Sequence, residues 1–138
     1  MAGKINRPKG APAAKRVLEP GPESPPGSNL TLHPKISLAF VQPGRYALNK
    51  CTKDEKAALV DKLHNLCALT WKQIYNAGRH GLGFEKVEVK KAAPPEIFKD
   101  HNQVAFRFCG KKPMVGFIDH DTFYIVWFDH DFTLYRHD

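Results

Sequence analysis

The chain is poor in the residues and motifs that mark several common protein classes. Its 138 residues include only three cysteines, and Cys51, Cys67 and Cys109 form no CxxC pair. We therefore expect free thiols in a reducing cytoplasm, with neither a disulfide framework nor a zinc knuckle. The phosphate-binding motifs GxGxxG and GKS are also absent, since Arg79-His80-Gly81-Leu82-Gly83 spaces its glycines differently.

Long apolar runs are missing as well. No stretch has the length and hydrophobicity needed to cross a bilayer, and no apolar core follows the basic residues near the N-terminus. The sequence therefore predicts a cytoplasmic protein with no membrane partner and no secretory signal.

Positive charge, by contrast, is in excess. Lysine and arginine number 21 against 14 aspartates and glutamates, so the formal net charge is +7. This excess indicates an anionic partner, of which nucleic acid is the commonest, or it serves solubility alone.

Proline is concentrated at one end of the chain. Six of the eleven prolines fall within residues 1–29, together with glycine, serine and a net positive charge. Such a segment buries too little apolar surface to offset its ordering entropy. We predict a disordered basic tail over 1–29 and one domain over 30–138.

Two helices are predicted from their N-terminal signals. Thr52-Lys53-Asp54-Glu55 and Thr70-Trp71-Lys72-Gln73 are both capping boxes. Apolar residues at helical spacing follow the first box, which predicts a helix over 53–68. The second helix is predicted over 70–77, with its end at Gly78. Together they would form an αα-hairpin.

Strands are predicted before and after the helix pair. They cover Ile36 to Phe40, the extended stretch 81–89, then 103–110, 112–118, 123–128 and a last strand at 132–135. Asp119-His120-Asp121-Thr122 is a turn signal between two of them. The predicted fold class is α+β, an antiparallel sheet meander of order β-α-α-β-β-β with the αα-hairpin on one face. The opposite face would be open and concave and would carry the function.

This order of elements in a small basic chain resembles the RelE/ParE-like superfamily of bacterial toxins, over about residues 36–138. In that family an arginine-bearing strand leads into a hairpin, and the chain ends in a basic turn and an aromatic residue. Ala105-Phe106-Arg107-Phe108 looks like the first of these strands, and Leu134-Tyr135-Arg136-His137 looks like the catalytic tail. Met114 and Asp131 depart from the pattern, since the family usually places basic residues there.

The resemblance implies a toxin-like endoribonuclease, an mRNA interferase that cleaves ribosome-bound mRNA and is neutralised by an antitoxin protein. It also implies cleavage without a metal or cofactor, so the chain's own groups must move protons and stabilise the phosphorane. We expect Arg107, Tyr135 and His137 to be the catalytic residues. Arg107 would bind phosphate, because Phe106 and Phe108 point into the core and strand parity turns Arg107 to the other face.

Further basic residues are expected to contact the substrate: Lys111, Lys112, His130, Arg136 and Arg79. The triplets at 119–121 and 129–131, both Asp-His-Asp, also permit a metal interpretation, but acidic turns are common for backbone reasons and we predict no metal. The alternative function is a non-catalytic module on the same fold that binds nucleic acid or a protein.

Overall fold

The computed structural model describes residues 27–136 of the chain. Seven regular elements follow one another: β1 (Lys35–Ser37), α1 (Lys53–Ala68), α2 (Trp71–Leu82), β2 (Glu85–Val87), β3 (Gln103–Cys109), β4 (Lys112–Asp119) and β5 (Thr122–Phe128). Short 3-10 helices lie at Gly27–Thr31, Leu48–Lys50 and Glu96–Phe98. The predicted tail therefore lies outside the described residues, apart from its last three positions. The fold class is α+β, as predicted.

Both capping boxes are formed. The Thr52 hydroxyl accepts the Glu55 amide, and the Glu55 carboxylate accepts the Thr52 amide at 2.7 Å. Thr70 and Gln73 make the same reciprocal pair at the start of α2. The predicted bounds of α1 are confirmed. The predicted end of α2 at Gly78 is wrong, because the helix continues to Leu82 and ends where Gly83 adopts a left-handed φ of 70°.

The sheet is mixed, which corrects the prediction of an antiparallel one. Its strand order is β1-β5-β4-β3-β2. Consecutive strands from β2 to β5 pair antiparallel, whereas β1 pairs parallel with β5, with Ile36 opposite Phe123. The chain then continues along the same edge, since Gln42 donates to the Val126 carbonyl and Phe128 donates to that of Tyr46. Because β5 is an interior strand of the sheet, its residues are apolar on both faces.

The helices cover one face of the sheet. Trp71 and Ile74 of α2 and Leu59 and Leu66 of α1 are buried there. The same cluster includes Phe84, which precedes β2, and the sheet residues Val104, Phe106, Phe108, Met114, Ile118, Phe123, Ile125 and Phe128.

The other face is also filled, so the prediction of an open concave face is wrong. Phe98, from the 3-10 helix that follows the proline-rich connector, stacks on Phe117 with ring centroids 4.9 Å apart. Tyr46 and Leu134 close over the same face, and Phe40 packs at its margin. The sheet therefore separates two apolar cores, the first on the helix side and the second on the side of Phe98 and Leu134.

The predicted last strand at 132–135 is not formed. The chain instead turns after β5, because the buried Asp129 carboxylate accepts the amides of Thr133 and Leu134 at 2.8 and 3.1 Å. Because the amides of Thr133 and Leu134 are bonded to this carboxylate, they do not form hydrogen bonds with a neighbouring strand. These bonds direct the Leu134 side chain, which is 0% exposed, into the second core.

Candidate nucleic-acid interface

Arg107 lies on β3 just past the end of its pairing with β2, beside the junction of α2 and β2. It pairs across the sheet with Pro113 on one side. On the other side, its aliphatic stem covers Gly83 so closely that a Cβ atom at Gly83 would be 2.3 Å from Cγ of Arg107. Phe106 and Phe108 are buried under the helices, as the parity argument predicted. Arg107 is half-buried and is held by the glycine backbone rather than displayed on an open face.

Lys62 of α1 is a half-buried lysine that senses the charge of Arg107. Burial lowers the pKa of Lys62, and the positive charge of Arg107 lowers it further. Like charges that act on one another in this way repel, and an anion bound by both would relieve the repulsion. Within residues 27–136, no carboxylate forms a salt bridge with either side chain. Lys62 on α1 and Arg107 on β3 are therefore two cations without a carboxylate partner among the described residues.

Lys112, one of the residues predicted to bind substrate, is engaged inside the protein. Its ammonium group forms a salt bridge with Glu55 in the first turn of α1. The Glu55 side chain is buried, and burial alone would raise the pKa of its carboxyl group. Hydrogen bonds from Lys112 and from the Thr52 amide outweigh burial and hold that pKa below the ordinary value. Lys112 thus ties α1 to β4.

The other predicted substrate contacts are scattered. Lys111 is exposed in the β3–β4 turn, and Arg136 is exposed near the end of the described chain. His130 donates from Nε2 to the Arg45 carbonyl oxygen at 3.0 Å, so it fastens the turn after β5. Arg79 belongs to α2 rather than to a loop, and its side chain lies outside what the structure describes.

Two of the three residues predicted to be catalytic can be located. Tyr135 is half-buried against the second core, and Arg107 lies over Gly83. His137 lies outside the described residues. The grouping of all three therefore stays a prediction, and its supposed platform, a last strand on an open face, is absent from the described chain.

The two Asp-His-Asp triplets act as turns. Asp121 in the β4–β5 turn pairs with Lys35 at 3.4 Å, and Asp131 pairs with Arg45 at 3.0 Å. No cluster of three His, Cys, Asp or Glu side chains within residues 27–136 could hold a metal ion. In the same part of the chain, no helix is both long enough and apolar enough to cross a membrane.

Sequence reasoning missed Lys62 and Gly83. One signal was available for Lys62, because it stands three residues after Leu59 and four before Leu66, on the stripe of α1 that faces the core. A lysine on such a stripe is unusual and indicates an edge or a site. Gly83 carried no comparable signal, since its contact with Arg107 depends on strand register.

Comparison of the chain with protein-family models, with curated proteins and with solved structures returned no match. The function of the chain must therefore be inferred from the site itself.

Proposed function

We propose that the protein binds RNA in the cytoplasm, with Arg107 and Lys62 as its phosphate-binding pair. The observation that carries this proposal is that two half-buried cations, one of which lowers the pKa of the other, have no carboxylate partner among the described residues. A phosphate between them would relieve their repulsion, and the guanidinium can bind it through two parallel hydrogen bonds. The net charge of +7 adds a long-range attraction to the same partner.

The proposal is tested by measuring the affinity for a fluorescent single-stranded RNA over a range of salt concentrations. Arg107→Met and Lys62→Met should each weaken binding. They should also lower the slope of log K against log salt by about 0.7 for each lost phosphate contact. Lys56→Met is the matched control, since Lys56 is an exposed lysine of the same helix. If Arg107→Met and Lys62→Met both keep the slope of the wild type and of Lys56→Met, this pair is not the phosphate site.

We further propose that the bound RNA is cleaved, which would make the protein a toxin-like endoribonuclease with a separate antitoxin partner. The helix pair and the four consecutive antiparallel strands support the resemblance to the RelE/ParE-like fold, while the parallel β1 departs from the predicted sheet. Arg107 would stabilise the phosphorane, and Tyr135 and His137 would move protons.

Cleavage is tested by incubating the protein with ribosomes and mRNA and mapping new 5′ ends. Arg107→Ala should slow cleavage by about 2–4 kcal/mol of barrier, by analogy with the loss of one oxyanion donor. His137→Ala should flatten the pH profile, and Tyr135→Phe should separate proton transfer from stacking. Intact mRNA in the presence of a wild-type protein that binds RNA would leave the non-catalytic binding module as the function.

A further inference from the structure

Two of the three cysteines pack in the first core, although they are far apart in the chain. Cys51 directly precedes Thr52, the N-cap of α1, and Cys109 is the last residue of β3. Cys51 is buried and Cys109 is half-buried, and neither takes part in a disulfide. Cys67 is exposed near the end of α1. The fold therefore brings two thiols into one core and leaves the third at the surface.

A β-bulge turns Cys109 toward this core. Phe106 and Phe108 lie on the helix side of β3, so a regular strand would point the next side chain to the opposite side. The pairing of β3 with β4 shifts between Arg107 and Cys109, however, and Cys109 packs against the first core. Bulges re-aim side chains in this way. The irregularity thus places the Cys109 thiol on the same side of the sheet as Cys51.

A series of contacts connects the two cysteines. Cys109 pairs with Lys112 across the β3–β4 hairpin, and the Lys112 ammonium forms a salt bridge with Glu55. The Glu55 carboxylate also accepts the amide of Thr52, the residue that follows Cys51. The pKa of Lys112 is raised first by its hydrogen bond to this carboxylate, and further by the charges of Cys109 and Cys51. One ammonium group therefore interacts electrostatically with both sulfur atoms.

The two thiols differ in their access to solvent. Burial, followed by the charge of Glu55, raises the pKa of Cys51 to about 11, so this thiol remains protonated at neutral pH. A buried, protonated thiol reacts slowly with an oxidant in solution. Cys109 keeps part of its surface in solvent. An oxidant therefore reaches Cys109 first, and Cys51 is a second thiol in the same core.

We propose that Cys109 is a peroxide-reactive thiol, and that Cys51 converts its oxidised form into a disulfide between the start of α1 and the end of β3. The Cys109 sulfur attacks one oxygen of hydrogen peroxide, the O–O bond breaks, and a sulfenic acid and water are formed. The Cys51 sulfur then attacks the Cys109 sulfur, and the hydroxyl group leaves with the Cys51 proton as a second water. The peroxide gains the two electrons that the sulfurs lose. The chemistry does not depend on the proposed RNA binding.

The disulfide would make the stability of the domain depend on oxidation. A bond between Cys51 and Cys109 closes a loop that contains both helices and the strands β2 and β3. Closing this loop restricts the unfolded chain and lowers its conformational entropy. The oxidised protein should therefore melt at a higher temperature than the reduced protein.

The test treats the folded wild type, Cys51→Ala, Cys109→Ala and Cys67→Ala with hydrogen peroxide. Free thiols are then blocked, and mass spectrometry of the digested protein locates any disulfide. The wild type and the control Cys67→Ala should form a bond between Cys51 and Cys109 within one chain. Cys51→Ala should stop at a sulfenic acid on Cys109, which dimedone traps, and Cys109→Ala should leave Cys51 reduced.

Thermal unfolding compares the oxidised and reduced forms of each variant, so any effect of the alanine itself cancels. Oxidation should raise the melting temperature of the wild type by about 10 °C, and a thiol reductant should reverse the rise. Cys51→Ala should show no such rise. Three results would overturn the inference: Cys109 stays reduced in the folded protein, its sulfenic acid persists in the wild type without bonding to Cys51, or the disulfide forms only in urea or lowers the melting temperature.

Discussion

Glu55 and Lys112 join the first turn of α1 to the first residue of β4, and their ion pair is the main reason why a carboxylate can be buried there. The Glu55 side chain is only 6% exposed, whereas that of Lys112 keeps 32% of its surface in solvent. A charge buried to this extent requires its partner.

Removing Lys112 should therefore reverse the acid response of the protein. In the wild type, Glu55 has a folded-state pKa below its ordinary value of 4.5, so its stabilisation is complete above pH 4.5 and is lost as the pH falls through the folded-state pKa. In Lys112→Met, burial should dominate and raise that pKa. The contribution of Glu55 should then decline as the pH rises from 4.5.

At pH 7 the Lys112→Met variant should lose about 2–4 kcal/mol of unfolding free energy. This loss is smaller than that expected when a fully buried ion pair is broken, because solvent screens Lys112. Urea denaturation between pH 3 and 7 measures both effects. Lys111→Met, which removes the exposed neighbour, should change stability by no more than about 0.5 kcal/mol. Equal losses in the two variants would contradict this role for the ion pair.

Gly83→Ala should destabilise the protein and weaken RNA binding together. The alanine backbone would have to keep the positive φ of Gly83, which costs about 1–2 kcal/mol. The new methyl group would also displace the aliphatic stem of Arg107. Gly110→Ala isolates the first effect, because Gly110 has a φ of 57° and nothing within 4 Å of its missing Cβ. Denaturation and RNA titration should show a larger loss of stability for Gly83→Ala, and a loss of affinity in that variant alone.

His101→Phe should remove a pH dependence of the unfolding free energy that lies at higher pH than the titration of the carboxylates. Burial against Phe98 and Phe117 lowers the pKa of His101 to about 4, against the opposing effect of Asp100. Its unfolded-state pKa is near 6.5, so the wild type should lose stability as the pH falls from 6.5 towards 4. With one pKa unit equal to about 1.4 kcal/mol and allowance for partial exposure, the loss should be about 2 kcal/mol.

Urea denaturation at pH 7 and pH 5 measures this difference, which should disappear in His101→Phe. His64→Ala, a change at an exposed histidine of α1, should retain the wild-type difference. A difference that persists in His101→Phe would assign the pH dependence to another group.

Arg107→Met should raise the pKa of Lys62. Burial, followed by the charge of Arg107, lowers that pKa in the wild type, and the substitution removes only the second cause. The shift should therefore be partly reversed, as seen by NMR titration of the Lys62 side chain. Arg45→Met removes a cation paired with Asp131 and should leave the titration of Lys62 unchanged.

Much of the local structure could be predicted because its causes are local. In each capping box, a hydroxyl side chain and a carboxylate or carboxamide side chain lie three residues apart. Thr52 and Thr70 therefore predict the starts of the two helices from local sequence alone. The strands β3 to β5 and the turn at 119–122 were also located correctly. Arg107 was selected by parity, and both of its phenylalanine neighbours are indeed buried.

The tertiary structure decided which strands pair with one another and which distant side chains come together. The alternation of apolar residues in β1 does not predict a parallel partner strand. The sequence near Phe132 does not predict that hydrogen bonds to the Asp129 carboxylate turn the chain away from the sheet. The charge of +7, the two helix starts and the strands β3 to β5 follow from the sequence alone. The approach of Lys62 to Arg107, and the filling of both sheet faces, depend on contacts between distant segments, whose register is set by the packing of the whole domain.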